Sequence, residues 1–364
     1  MNNKARIVIF SLLLVLLTGF AGCNQAAVTE ANPKNDSSDN ADIEQMIEIG
    51  NNQVVIGFSL GTLAEERWIN EKKYFEQEVA KYGAKVLTQD ANMDEELQQE
   101  QIDSFIKQKV DVLVIVAVND ETSSECVKSA KSAGIPVLAY SRMITDADID
   151  AFIGFDAVAI GETLAQAATS SVPSGNYFII NGSLTDSNAK SQQKGYYNVL
   201  NPYIAKGDIT VSYEIWCDNW SPEKAQTAAK KGLELSNNKV DAIIVSNDGM
   251  AGGVIEALKE QSLNGKVFVS GTDGDLSALK RIAKGDQTVT LLFPQKEFAE
   301  EAARAAISLA NDLVPADATG KTFNGLKDIP TIFARTILVT KVNLNDTVIQ
   351  PGIRNYKEIY GDTP

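Results

Sequence analysis

The sequence predicts an α/β protein of two doubly wound parallel-sheet lobes, joined by a hinge that the chain crosses three times. Three observations carry this prediction. Short β-favouring apolar runs alternate with helical patterns through most of the 364 residues. The alternation runs from about residue 54 to about 140 and begins again near 175. Within each series the strands start about 24 to 33 residues apart, the size of a βα unit. Length alone suggests roughly two domains at about 150 residues each, and a hydrophobic content of 44% can bury a large core.

The first series has strands at Val54–Phe58, Ala84–Leu87, Val112–Val116 and Pro136–Tyr140, separated by helical patterns over Arg67–Tyr82, Asp94–Lys109 and Glu121–Ala133. Several strands are apolar without alternation, as expected for parallel strands covered on both faces. Helix stops are written as Tyr82-Gly83 and as Ala133-Gly134 with Pro136 just beyond. The second series has strands at Tyr177–Ile180, Thr210–Tyr213, Ala242–Val245 and Val267–Val269, with helices over Asn188–Leu200, Pro222–Leu235 and Met250–Lys259. Strands at 151–155, 288–292 and 331–339 read as the connections between lobes. The helix Gln295–Leu313 reads as returning to the first lobe, and the last twenty residues as wrapping the second.

Composition removes several function classes. The chain has no histidine, so no Ser-His-Asp or Cys-His catalytic set and no His-ligated metal site can exist. A net charge of −15 argues against nucleic acid. There is no GxxxxGK[ST] loop and no GxGxxG. The acidic run Asp146, Asp148, Asp150 resembles the start of an EF-hand, but Ala151 and Ala157 stand where that loop needs Gly and Glu, so it reads as a solvated turn. The N-x-[ST] triplets at Asn35, Asn181, Asn219 and Asn345 are expected by chance. No cofactor and no metal is expected.

The N-terminus reads as an export signal. Lys4 and Arg6 precede an apolar stretch, Ile7–Phe20, that is shorter than the ~20 residues needed to span a bilayer. Phe20-Ala21-Gly22-Cys23 resembles a bacterial lipobox, with Phe20 in place of the usual Leu; residues 1–22 would be removed and Cys23 lipidated. Residues 24–52 carry six acids, one base and no aromatic residue, and read as a flexible tether of about 30 Å mean reach. The expected product is an extracytoplasmic, lipid-anchored protein. Cys126 and Cys217 fall in different lobes, where a disulfide would lock them together, so both are expected to be unpaired.

The polar residues that follow strands suggest the chemistry. In open parallel sheets, ligands bind beyond the carboxyl ends of the strands. At those ends stand Arg67-Trp68, Ser141-Arg142, Asp186 with Asn188, Trp220, Asn247-Asp248 and Asp273. Indole rings cover the apolar faces of a pyranose, while Asp, Asn and Arg satisfy its hydroxyl rim. The same residues have other uses. Asp186, Asn188 and Asp248 are plausible helix N-caps, Trp68 and Trp220 could be core, and Arg142 could pair with a surface acid.

From Gln53 onward the chain resembles the type I periplasmic sugar-binding proteins of ABC importers, and most closely their D-xylose-binding branch. The resemblance rests on Glu66-Arg67-Trp68, Leu138–Ile144 with Asp146–Asp150, Gly175–Phe178 leading to Asp186–Lys190, Ser246–Asp248 with Ala251–Gly253, and Ser270–Asp273 with Lys280–Ile282. It implies a periplasmic-binding-protein type I fold, with lobes at 53–154 plus 294–328 and at 155–293 plus 329–364. It also implies a sugar ring between Trp68 and Trp220, with Arg67, Arg142, Asp186, Asn188, Asn247 and Asp273 on its hydroxyls. Two matching positions depart from the xylose pattern: Ser141 stands where Asp is usual, and Phe293 where Lys is usual. The sugar is therefore expected to be D-xylose or another pentose or hexose.

The expected function is capture of one monosaccharide by a monomeric lipoprotein that closes on it and hands it to an ABC permease. The alternative is a sensing partner of a membrane histidine kinase or chemoreceptor. A glycosidase is disfavoured. A transcriptional regulator is disfavoured too, because residues 1–52 read as export signal and tether and no helix-turn-helix is evident.

Overall fold

The computed structural model describes residues 53–361. The export signal, Cys23 and the tether lie outside the described residues.

The first lobe is a seven-stranded sheet in the order β12-β13-β5-β4-β3-β1-β2. Its first half is built as the sequence suggests: β1 (Val55–Leu60), α1 (Glu66–Lys81), β2 (Lys85–Asp90), α2 (Glu95–Lys107), β3 (Val112–Ile115), α3 (Ser123–Ser132) and β4 (Val137–Tyr140). β1 pairs in parallel with both β2 and β3, and β3 pairs with β4. Both sheet faces are covered, so β3 and β4 are buried at every residue. The acidic turn at 146–150 is tied down by ion pairs, Asp150 to Lys131 at 2.6 Å and Asp148 to Lys327.

The second lobe carries a four-stranded parallel sheet in the order β7-β6-β8-β9, from β6 (Gly175–Asn181), β7 (Ile209–Trp216), β8 (Ala242–Val245) and β9 (Phe268–Val269). Around it lie α4 (Ala157–Ser171), α5 (Ser187–Lys206), α6 (Pro222–Leu235) and α7 (Asp248–Glu260). A small third sheet, β10 (Thr272–Asp273), β11 (Val289–Leu292) and β14 (Ile337–Thr340), continues this lobe; there β14 runs antiparallel to β11. α8 (Leu276–Lys284) and the terminal α10 (Tyr356–Tyr360) meet through Leu279, Ile282 and Ile359.

The hinge differs from expectation in one respect. The strands at 151–155, 288–292 and 331–339 are not free connectors. β5 (Ala151–Gly154) is hydrogen-bonded between β4 and β13 (Asp328–Phe333), and β11 lies between β10 and β14. The chain passes between sheets in the short segments that follow β5, β11 and β13. Because β13 pairs in parallel with β5, residues 329–333 belong to the first sheet and not to the second lobe, where the sequence reading placed them. After the second passage, α9 (Gln295–Ala310) buries Phe298, Ala302, Ala306 and Leu309, and Phe298 stacks edge-on against Tyr140 of β4 at 4.8 Å. The hairpin of β12 (Gly320–Phe323) with β13 closes the sheet edge.

Cys126 and Cys217 are unpaired and buried, one in each lobe's core. Among the described residues, no helix is long and apolar enough to cross a membrane.

Candidate functional site

The carboxyl ends of the strands of both lobes face a common cleft. Its walls enclose about 460 Å³ of non-atom space, part of it open to solvent. Arg67, Trp68, Ser141, Arg142, Asp186, Asn188, Trp220, Asn247 and Asp273, which stood apart in the sequence, all line it.

The first lobe supplies its groups from α1 and from the turn after β4. Arg67 is 6% exposed, and each of its three guanidinium nitrogens has a partner. Nε donates to Glu71 Oε1 at 2.7 Å, one N–H donates to Ser141 Oγ at 2.8 Å, and another reaches Asp273 Oδ1 at 3.5 Å. The guanidinium lies 4.5 Å from the centre of the Trp68 ring, 4.8 Å from Phe293 and 5.2 Å from Phe155. Burial works against the charge on Arg67, but Glu71 and Asp273 outweigh it and hold the pKa above the ordinary arginine value. Ser141 leaves β4 in the left-handed region, φ 63°, which turns the chain so that Arg142 enters the cleft. Arg142 Nε pairs with Asp186 Oδ2 at 2.9 Å, and another of its N–H groups donates to the Ala117 carbonyl.

The second lobe supplies its groups largely from helix starts. Asp186 caps α5 by accepting from the Asn188 backbone N–H through Oδ1, which leaves Oδ2 for Arg142. Asn247 caps α7 by accepting from Met250 N–H through Oδ1 and turns its amide NH₂ towards the cleft. Capping and cleft lining are therefore compatible, because each side chain has two polar atoms to spend. Trp220 and Asp273 also sit at positive φ, 55° and 100°. Non-glycine residues held this way concentrate at functional sites. Asp248 does different work: its carboxylate accepts from Gly274 N–H, Asp275 N–H, Thr290 Oγ1 and Gln287 Nε2, which fixes the loop that carries Asp273.

The two walls touch. Besides Arg67–Asp273 and Arg142–Asp186, Asn188 donates to the Ser141 carbonyl at 2.8 Å and Asn247 to Glu65 at 3.4 Å. At the rim, Lys190 pairs with Asp120 at 2.9 Å, and Arg354 with Glu66 at 2.5 Å.

The lining includes residues that the sequence reading did not select: Glu65, Phe155, Gln192 and Thr272. Phe293, noted there only as a departure, stacks on Phe155 with ring centres 4.1 Å apart. The rings come from two different passages of the hinge and form a floor beneath Arg67. Glu65 had a visible signal, since it stands in the loop after β1. Nothing in the sequence separated it from its neighbour Glu66, which faces the rim. Burial, and then Asp273 opposite, raise the Glu65 carboxyl to about 7.

Comparison with known proteins fits this geometry. Residues 56–313 match the family model described as a periplasmic binding protein domain. The chain is 46% identical over 308 residues to the D-xylose-binding periplasmic protein of Escherichia coli K12, covering 84% of this chain and 93% of that one. It is 42% identical to the protein of the same description from Haemophilus influenzae, covering 84% of this chain and 92% of that one. Among solved structures, a carbohydrate transporter solute-binding protein from Chloroflexus aurantiacus, in complex with D-glucose, shares the fold with a TM-score of 0.78 at 24% identity, covering 84% of this chain and 98% of that one. Two α/β lobes, a cleft lined from both and identity sustained along most of the chain place this protein in the type I periplasmic sugar-binding family of ABC transport.

Proposed function

We propose that this protein captures a single neutral monosaccharide, D-xylose or a closely related pentose or hexose, between its lobes and delivers it to an ABC import permease. Family membership makes it an extracytoplasmic binding protein and not an enzyme. The observation that carries the finer reading is the convergence of both Trp68 and Trp220 with ten polar residues on one cleft between the lobes. Two indoles suit the apolar faces of a pyranose, and the arginine, asparagine and carboxylate groups suit its hydroxyls. The indole N–H of Trp220 is buried without a hydrogen-bond partner, a costly condition that a ligand oxygen would relieve.

Capture would work through the hinge. A sugar that contacts both walls binds the closed arrangement better than the open one and shifts the population towards it. The closed pair of lobes would then be the form a permease recognises. We further propose that the protein acts as a monomer attached to the membrane through lipidated Cys23, a reading supported by the lipobox-like Phe20–Cys23. Calorimetric titration with D-xylose, D-glucose and L-arabinose tests the reading, with Trp220→Ala as the control. At least one sugar should bind with micromolar or tighter affinity, and Trp220→Ala should abolish that binding while leaving the far-ultraviolet spectrum unchanged. An unaltered affinity in Trp220→Ala removes the indole from the site, and absence of binding to all three sugars sinks the reading.

A further inference from the structure

Most polar groups of the cleft are already committed to short bonds: Arg67 to Glu71 and Ser141, Arg142 to Asp186 and Ala117, Asn188 to Ser141. One corner is different. Glu65 of the first lobe, with Asn247 and Asp273 of the second, makes cross-cleft bonds only at the limit of hydrogen-bond length. Asn247 Nδ2 to Glu65 Oε2 is 3.4 Å, and Arg67 to Asp273 is 3.5 Å. Two carboxyl groups therefore approach from opposite walls, close enough for Asp273 to raise the Glu65 pKa, with a weak donor on each side. Two acceptors so placed call for donors between them, and adjacent hydroxyls of a sugar supply them.

Position 141 gives this corner added weight. The resemblance leads one to expect a carboxylate there, but this position holds Ser141, whose hydroxyl oxygen accepts from Arg67. Among the lining residues of the first lobe, Glu65 is the one acid. The charged acceptor of this wall therefore stands at the start of α1 and not in the β4 turn.

We propose that Glu65 is a specificity-determining residue, accepting from a ring hydroxyl next to the one held by Asp273 and Asn247, so that the site selects aldoses bearing hydroxyls on both of those adjacent carbons. This rests on the sugar-binding reading above. Glu65 precedes α1 and its side chain caps nothing, so it can be replaced without loss of a helix cap.

The test is calorimetric titration of wild type, Glu65→Gln and Glu65→Leu with D-xylose, D-glucose and L-arabinose, then with the monodeoxy analogues of the tightest binder. Glu65→Leu should lose about 10- to 100-fold for the parent sugar. Glu65→Gln should lose less, since its amide oxygen still accepts. One monodeoxy analogue should bind wild type and Glu65→Leu equally, which identifies the hydroxyl. Parent-sugar affinity that is unchanged in Glu65→Leu overturns the proposal, as does an equal loss across all analogues, the signature of a merely structural role. In either case wild-type binding lost in Trp220→Ala leaves the sugar reading standing. A wild type that binds none of the three sugars overturns both.

Discussion

Gly182 lies against the face of the Trp220 indole: a Cβ built on it would stand 2.4 Å from the ring. The glycine follows β6 directly and clears room for an aromatic ring delivered from the loop after β7. That ring is 8% exposed, counts as part of the second lobe's core and also lines the cleft, so one indole serves both purposes. Gly182→Ala must displace the indole, an overpacking that costs about 1–3 kcal/mol. We expect affinity for the preferred sugar to fall about tenfold or more, with a smaller fall in thermal midpoint. A variant that binds normally would show that the indole's position is immaterial to the ligand.

Phe293 and Arg67 account for one of the two departures from the xylose pattern. Phe293 stacks on Phe155 within 19° of parallel, and the Arg67 guanidinium lies 4.8 Å from its ring centre. Phe293→Lys would remove the stack and set an ammonium beside a buried guanidinium. We expect a loss of stability of about 3 kcal/mol or more, because an aromatic is deleted from a packed site and like charges are brought together. Urea unfolding measures it. Wild-type stability would mean that Arg67 is held by Glu71 and Ser141 alone.

The alternation of apolar runs and helical patterns made the two-lobed α/β architecture legible, because parallel strands buried on both faces leave long uninterrupted apolar segments such as β3 and β8. Passages of the hinge were harder. A strand that crosses between sheets and a strand that pairs within one have the same composition, and only the pairing of β13 with β5 shows that residues 329–333 stay in the first sheet. The cleft was legible where a residue type has few uses, as with Arg67, Arg142 and Trp220. It was illegible where neighbours are chemically alike. Glu65 and Glu66 differ only in which way the start of α1 points them. At Asn247-Asp248 the resemblance picked out Asn247, which does line the cleft, and the structure adds that Asp248 braces the 273–275 loop.

Cys126 and Cys217 should be inert in the folded protein. Burial pushes the Cys126 thiol up to about 12 and the Cys217 thiol up to about 11, and the thiolate is the reactive form. A soluble disulfide reagent at pH 8 should therefore react with neither cysteine in native conditions and with both in denaturant. Rapid native reaction of Cys217, which follows β7 close to Trp220, would report opening of the cleft wall.

Glu65 is also expected to make closure of the cleft depend on pH. Its carboxyl stands at about 7 because burial and Asp273 both disfavour the charge, with Arg142 and Arg67 opposing them. Asp273 comes from the opposite wall, and its own pKa is raised by burial. Opening the cleft would return Glu65 to water and separate it from Asp273, which would bring its carboxyl back towards the ordinary value of 4.5. The closed arrangement therefore takes up a proton. Its advantage is complete below about 4.5 and is lost as pH rises through about 7. With no sugar added, fluorophores on the two lobes should show shorter distances at pH 5 than at pH 8, and Glu65→Gln should flatten much of that slope. A slope of opposite sign, or one untouched by Glu65→Gln, would separate closure from this carboxyl.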